Sequence, residues 1–294
     1  MNYNNNLLYT LKNLFISASG NWAMNDNQIS DLIKTNLGAI VLKSCTLEPK
    51  YSIDDEQINY RIDDIFFNSK NNYNSGFNNT YNLYIKYSCN PDKQIILSIL
   101  YENNANLEYM LNYLKEKSNR PMLIEINLCS QDIGYDSKKI ALICILLLKY
   151  NSSNLQIGFK LPPYIDSKQF EDISEIINLY DSVKFVVCSS SIPNTLPIVN
   201  NMYVFPSVVG NLSGKINKYI SLNNVRMFRR FLDKKITIIG CGGIRNEKDV
   251  YDYVYNGASY VQIATGFYNE NINKLKYQEI NNLILNYFSK ISKL

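Results

Sequence analysis

Two lysines close apolar runs in this chain and are its clearest candidates for binding chemistry. Lys43 ends the run GAIVLKS, and Lys160 lies near the end of LQIGFKLPP. A lysine in such a run is costly to bury without a partner, although either one alone could simply reach water at a strand end. Asn127 and Ser191 lie on two further apolar runs. The four side chains together indicate a polar ring around an anionic or amide-bearing ligand.

Glycine-rich segments end two more apolar runs and indicate a phosphate site. They read IIGCGGI (238–244) and VQIATGF (261–267). Glycine lets the backbone approach a phosphate closely and exposes N–H donors to it. The helical pattern that follows at 246–257 adds the positive end of a helix dipole. A tight turn without a ligand is the alternative, but the presence of both segments favours phosphate binding.

The segment EINLCSQD (125–132) combines groups that could bind and activate a planar ring. Asn127 can satisfy both the donor and the acceptor edge of a heterocycle. Cys129 or Ser130 could remove a proton if its surroundings activate it, and an ordinary strand end with turn residues is the alternative. The chain contains no histidine. This excludes imidazole bases, Ser-His-Asp and Cys-His catalysis and histidine-ligated metals, and we predict no metal site.

Eight short apolar runs must position these residues. They read LFISASG (14–20), GAIVLKS (38–44), IILSIL (95–100), LIEINLCS (123–130), LQIGFKLPP (155–163), VKFVVCSSS (183–191), ITIIGCGG (236–243) and YVQIATG (260–266). Helical patterns follow most of them, at 27–36, 107–117, 137–150, 167–180, 222–234, 246–257 and 277–294. Alternating strands and helices predict an α/β protein with a parallel sheet, and eight strands predict a closed (β/α)8 TIM barrel.

Two stretches do not fit this alternation, residues 45–94 and 192–220. Long connections in a compact domain are usually functional loops. We expect the first to form a loop or small hairpin over the C-terminal mouth of the barrel. No linker or repeat divides the chain, so residues 1–294 are predicted to form a single domain.

Composition restricts the class of protein. The 294 residues are 46% hydrophobic and carry a net charge of +4 that is spread along the chain, which argues against a nucleic-acid partner. No apolar stretch reaches the ~18 residues of a membrane-spanning helix, and the N-terminal residues lack the pattern of a signal peptide. The six cysteines show no CxxC or framework spacing. We therefore expect free thiols in a cytoplasmic protein with no membrane partner.

Several of these segments, in this order, resemble the dihydroorotate dehydrogenases, most closely the class 1A enzymes. The resemblance extends from about residue 10 to about residue 275. Its motifs include SASG, GAIVLKSCTLEP, EINL, GFKLPPY, SSIPN, GNLSG, IIGCGGI and VQIATGF. It implies an FMN-containing TIM barrel that oxidises dihydroorotate to orotate in pyrimidine synthesis. It also implies a cytosolic homodimer that passes electrons to fumarate.

The resemblance also implies a set of FMN-binding residues. The backbone of residues 18–20 would line the flavin, Lys160 would stabilise its reduced anion, and Ala264 stands where the family has a glycine. The complete set is Ala18, Ser19, Gly20, Lys43, Ser44, Asn127, Lys160, Gly214, Gly242, Gly243, Ala264 and Thr265.

The substrate side departs further from the family. The family loop Asn-Ser-Met-Gly-Leu-Pro-Asn is NSKNNYN here, and we expect Lys70 to offer a cation to the substrate carboxylate while Asn71 keeps the path of the lost glycine. The alternative is that Lys70 points to solvent and the substrate site is degraded. The family segment Asn-Leu-Ser-Cys-Pro-Asn is NLCSQD, which gives Ser130 the position of the catalytic base. The substrate-binding set implied is Lys43, Asn68, Ser69, Lys70, Asn71, Asn72, Asn127, Asp132, Ser190 and Ser191.

The sequence therefore predicts an FMN-dependent dihydroorotate dehydrogenase with fumarate as the electron acceptor. The changes cluster around one ligand and leave two alternatives. One is an FMN oxidoreductase with a changed substrate. The other is a catalytically degraded, flavin-binding pseudoenzyme.

Overall fold

The structure is a computed structural model that describes residues 7–20, 22–51, 59–68, 73–129, 131–205, 210–268 and 276–291. Within these ranges the chain forms fourteen strands. They are β1 (Phe15–Ser17), β2 (Ala39–Val41), β3 (Asn59–Ile62), β4 (Ile65–Asn68), β5 (Gln94–Leu100), β6 (Met122–Asn127), β7 (Leu155–Leu161), β8 (Phe185–Cys188), β9 (Ile192–Thr195), β10 (Ile198–Val199), β11 (Met202–Tyr203), β12 (Gly210–Gly214), β13 (Thr237–Cys241) and β14 (Tyr260–Ile263).

Eight of these strands close into a parallel barrel in the order β1-β14-β13-β8-β7-β6-β5-β2. They coincide with the eight apolar runs of the sequence, so the predicted TIM barrel is confirmed. The strands are buried along nearly their whole length, which explains their continuous apolar character, because a parallel sheet is covered on both faces.

Nine α-helices accompany the strands in the described part of the chain. They are α1 (Asp26–Ile33), α2 (Gly76–Tyr87), α3 (Asn104–Lys117), α4 (Gln131–Gly134), α5 (Ser137–Leu147), α6 (Ser167–Tyr180), α7 (Lys218–Phe231), α8 (Glu247–Tyr255) and α9 (Tyr277–Ile291). Asn246 caps the start of α8. The N-caps of α5 and α6 are Asp136 and Asp166, whose carboxylates accept hydrogen bonds from the first free N–H groups of these helices.

The amino-terminal segment closes one end of the barrel. Leu8 is fully buried and packs with the residues that fill the barrel interior. Its carbonyl accepts a hydrogen bond of 2.6 Å from Tyr260 Oη, and the N–H of Leu7 donates to Gln156 Oε1 at 2.7 Å. Because Tyr260 and Gln156 lie at the starts of their strands, this contact is at the N-terminal end of the barrel. The opposite end, where the strands finish, is left for a ligand.

A second, antiparallel sheet stands over that opposite end, with strand order β3-β4-β12-β9. It combines the predicted hairpin from the first long connection with two strands from the second. An ion pair between Arg245 and Asp64 fastens the hairpin turn to the loop after β13, and the N–H of Lys215 donates to the Asp64 carbonyl at 2.8 Å. The first connection also contains α2, a helix that the sequence pattern did not predict. No helix among the described residues is both long and apolar enough to cross a bilayer.

Candidate active site

A cavity of about 510 Å³ opens between the carboxyl ends of the barrel strands and the antiparallel sheet. Its volume falls within the roughly 300–1,000 Å³ typical of ligand pockets. Fifteen of the residues predicted from the sequence line this one cavity. They are Ala18, Ser19, Gly20, Lys43, Ser44, Asn68, Asn127, Lys160, Ser190, Ser191, Gly214, Gly242, Gly243, Ala264 and Thr265.

The remaining predicted residues are not described. Ser69, Lys70, Asn71, Asn72 and Ser130 lie outside the described residues, and Asp132 falls in α4, where its side chain lies outside them as well.

The two predicted lysines face the cavity in different electrostatic surroundings. Lys160 is only 6% exposed, and its Nζ lies 3.5 Å from Ser19 Oγ. Burial opposes its charge, but attraction by the ionised forms of Cys241, Glu125 and Cys129 outweighs burial and raises its pKa. For Lys43, burial and then repulsion by Lys160 lower the pKa to about 8. The site therefore contains one firmly cationic lysine and one that loses its charge at mildly alkaline pH.

Asn127 is held at the end of β6 with its amide oriented. Its Nδ2 donates to Ser44 Oγ at 3.1 Å, and its Oδ1 accepts from the N–H of Cys129 at 3.0 Å. Ser44 Oγ lies 2.9 Å from Ser98 Oγ. Since one Nδ2 hydrogen is used by Ser44, the second N–H of the amide is the group that Asn127 has left for a ligand.

The loop after β13 has the geometry of an anion site. Gly243 has a φ of +64°, and a Cβ there would stand 2.8 Å from the backbone nitrogen of Lys218. Gly214, with φ +95°, brings a second loop against the first. Among the described residues, the N–H groups of Gly242 and Gly243 donate to no protein acceptor. Successive free N–H groups of this kind form a concave anion-binding nest.

The helix after this loop contributes less than the sequence suggested. Asn246 and Asp249 form a capping box at the start of α8. Asp249 also accepts from the N–H of Arg245 at 2.8 Å and pairs with Lys218. The helix terminus is therefore occupied by its own residues, and the glycine N–H groups are the donors that remain for an anion.

Cys129 also lines the cavity, one residue before the predicted base. Its thiol lies 3.6 Å from the Lys160 carbonyl oxygen. Burial raises its pKa to about 12. At neutral pH Cys129 is therefore a neutral thiol, which is a weak proton acceptor.

Three polar residues of the site were not selected from the sequence: Glu125, Ser98 and Gln262. All three are buried within barrel strands, and Gln262 Nε2 donates to Glu125 Oε2 at 2.8 Å. Glu125 could have been selected from the sequence because it is a charged residue inside the apolar run LIEINL. Its partners lie on other strands and could not be read from the local pattern.

Comparison with family models matches residues 4–284 to the family described as dihydroorotate dehydrogenase. The chain is 29% identical over 285 residues to the dihydroorotate dehydrogenase (fumarate) of Trypanosoma cruzi, covering 90% of this chain and 87% of that protein. It is 29% identical over 272 residues to a putative dihydroorotate dehydrogenase A (fumarate) of Streptococcus agalactiae, covering 89% and 86%.

Among solved structures, the chain is similar to a DHODH from Eimeria tenella in complex with ferulenol. The TM-score is 0.73, and 95% of this chain and 82% of that chain are covered. At 14% sequence identity this similarity shows the fold alone.

Proposed function

This chain belongs to the dihydroorotate dehydrogenase family, and we propose that it oxidises dihydroorotate to orotate with FMN as its cofactor and fumarate as electron acceptor. The observation that carries the proposal is the convergence of Lys43, Asn127 and Lys160 with the Gly243 loop on a single cavity. We further propose that residues 1–294 act as one FMN-binding domain in the cytoplasm.

The residues of the cavity fit FMN. The glycine nest at Gly242 and Gly243 would hold the phosphate through backbone N–H groups. Lys160 would stand by the pyrimidine end of the flavin, where its charge would stabilise the reduced anion. The backbone of residues 18–20 would line the ring, with Ser44 beside it, while Gly214, Ala264 and Thr265 would complete the ribityl and phosphate site. When bound, FMN would supply the acceptor for the two electrons and the hydrogen that leave C6 of dihydroorotate.

The cavity also fits an anionic ring with amide edges. Lys43 would attract the substrate carboxylate, and Asn127 and Asn68 would bond the ring amides. Ser190 and Ser191 line the cavity from the segment after β8. We also assign substrate contacts to Ser69, Lys70, Asn71, Asn72 and Asp132.

We assign the catalytic base to Ser130, which would remove the proton from C5 of dihydroorotate. The neighbouring Cys129 is a protonated thiol near neutral pH, because burial raises its pKa to about 12. A serine hydroxyl needs a hydrogen-bonded relay or high pH to accept a proton, so substrate oxidation should accelerate as the pH rises above neutral.

We propose that two copies of the chain associate through an exposed hairpin formed by β10 and β11. Its turn residues Asn200 and Asn201 have φ values of +50° and +60°, as a tight two-residue hairpin requires. The strands expose Met202 and Tyr203, which are 69% and 61% accessible. Exposed apolar clusters of this kind mark protein interfaces.

The binding part of the proposal is tested by titrating the apoprotein with FMN and then with orotate. The single tryptophan, Trp22, packs against Tyr268 with ring centroids 5.9 Å apart, and Tyr268 lines the cavity, so quenching of its fluorescence reports flavin binding. We expect one FMN per chain and an orotate-induced shift of the flavin spectrum. FMN binding without any response to orotate would favour a changed substrate or a pseudoenzyme, and failure to bind FMN would refute the proposal.

A further inference from the structure

A fully buried glutamate lies at the centre of the polar network beneath the cavity. Glu125 is on β6 and has no solvent exposure. Its Oε1 accepts hydrogen bonds from Ser19 Oγ at 3.1 Å and from Ser98 Oγ at 2.9 Å. Its Oε2 accepts from Gln262 Nε2 at 2.8 Å. A buried carboxylate is tolerated only when it is paired and hydrogen-bonded, and these donors come from three other segments of the barrel.

One branch of the network leads from the carboxylate to Lys160. The Ser19 hydroxyl donates to Glu125 and accepts from Lys160 Nζ at 3.5 Å. The ionisable groups that act on Lys160 are Glu125 on β6, Cys129 after β6, Cys241 on β13 and Lys43 after β2. Burial raises the pKa of both thiols, so they are neutral near neutral pH. The Glu125 carboxylate is therefore the negative charge that faces the lysine.

The other branch leads from the same oxygen to Asn127. Because Ser98 donates to the carboxylate, its oxygen is left to accept from Ser44 Oγ, 2.9 Å away. Ser44 in turn accepts from Asn127 Nδ2 at 3.1 Å. A carboxylate that only accepts thus fixes the direction of every proton in the chain. The network and the N–H of Cys129, which donates to Asn127 Oδ1, together give the amide of Asn127 a single consistent orientation.

We propose that Glu125 is the positioning residue of this active site, a buried counter-charge that keeps Lys160 cationic and sets the donor direction of Asn127. The pairing of Glu125 with Lys160 is a property of the protein without ligands. The effect of Glu125 on FMN and orotate binding rests on the proposed function.

The charge pair is tested first in the apoprotein, by thermal unfolding near neutral pH of Glu125→Gln, Lys160→Met and the double variant. Each single change leaves a buried charge without its partner, so the double variant should lose less in Tm than the sum of the two single losses. Additive losses would overturn the pairing. This result does not depend on whether FMN is the cofactor.

The effect on the ligand is tested by the pH dependence of FMN affinity. Without its counter-charge Lys160 is left buried beside Lys43, and the corresponding two causes lower the pKa of Lys43 to about 8, so Lys160 should lose its proton at lower pH. Between about pH 7 and about pH 9, the FMN affinity of Glu125→Gln should therefore fall roughly tenfold more than that of the wild-type protein. The double variant with Lys160→Met should lack this additional fall. An unchanged pH profile in Glu125→Gln, with FMN bound, would overturn the proposal while leaving the proposed function intact.

Two serine variants separate the branches and remain informative if Glu125→Gln folds poorly. Ser19→Ala breaks the link to Lys160 and should show a weaker form of the same additional fall. Ser98→Ala is the matched control, since it removes a donor to the same carboxylate oxygen on the other branch. It should weaken orotate binding and leave the pH profile of FMN affinity as in the wild-type protein. An additional fall of FMN affinity with pH in Ser98→Ala, and a wild-type pH profile in Ser19→Ala, would contradict the assignment of the two branches.

Discussion

Lys43 and Lys160 face the same cavity, and their pKa values move in opposite directions. Burial and the charge of Lys160 lower the pKa of Lys43 to about 8, while the negative groups around Lys160 outweigh its burial and raise its pKa. Both lysines are cationic near neutral pH. Only Lys43 loses its charge at mildly alkaline pH.

The first prediction concerns the pH dependence of orotate binding. Below about pH 8 Lys43 carries a charge that attracts the orotate carboxylate, and above this pH the charge is lost, so affinity should fall by up to about tenfold per pH unit. The measurement is orotate titration of the FMN-loaded protein across this range. Lys43→Met should bind weakly with no such slope. A wild-type affinity that stays level through alkaline pH would contradict the assignment.

The second prediction distinguishes the two candidate bases. Ser130→Ala should slow flavin reduction by dihydroorotate by roughly 10²-fold or more, in keeping with the usual contribution of a general base. Cys129→Ala should change the rate little, because the thiol is protonated near neutral pH. Rapid-mixing absorbance of both variants under anaerobic conditions measures this. A much slower flavin reduction in Cys129→Ala, together with a wild-type rate in Ser130→Ala, would identify Cys129 as the base instead.

The third prediction tests the glycine nest. Gly243→Ala forces a side chain into a φ of +64° against the Lys218 backbone, and we expect FMN affinity to fall roughly tenfold or more, equivalent to ~1.4 kcal/mol. Gly257→Ala is the matched control, with a φ of +106° at the end of α8, where it does not line the cavity. It should lower stability and leave FMN affinity unchanged. Equal loss of FMN in both variants would argue for a general folding defect.

The fourth prediction concerns assembly. Met202→Lys introduces a charge into the exposed hairpin and should shift a dimer towards monomers. Light scattering across a concentration series measures the shift. Tyr255→Lys, at a residue 91% exposed on α8, is the surface control and should leave the assembly unchanged. A wild-type protein that is monomeric throughout the series would refute the dimer.

The barrel could be predicted from the sequence because each buried strand is a local apolar run. Helix α2 could not, since its sequence GFNNTYNLYIKY is rich in residues that favour turns. Its helical form depends on burying Phe77, Thr80 and Tyr84 against the barrel. The antiparallel sheet was predicted only as a hairpin, because β12 joins β4 from far along the chain.

In the candidate site too, residues with a local sequence signal could be predicted and those that depend on distant contacts could not. Lys43, Asn127 and Lys160 could be selected because each follows or ends a strand in its own sequence context. Glu125 was not selected as a site residue, because its partners Ser19 and Gln262 lie 106 and 137 residues away in the sequence. Which side chains meet inside a barrel depends on strand register, and register is set by the closed sheet as a whole.

Oxidation of dihydroorotate at this site is tested most directly by the absorbance of the FMN-loaded protein mixed with dihydroorotate in the absence of oxygen. We expect the visible flavin band to bleach, orotate to form in an amount equal to the flavin reduced, and added fumarate to restore the band. An FMN-loaded protein whose spectrum stays oxidised in excess dihydroorotate would contradict this expectation.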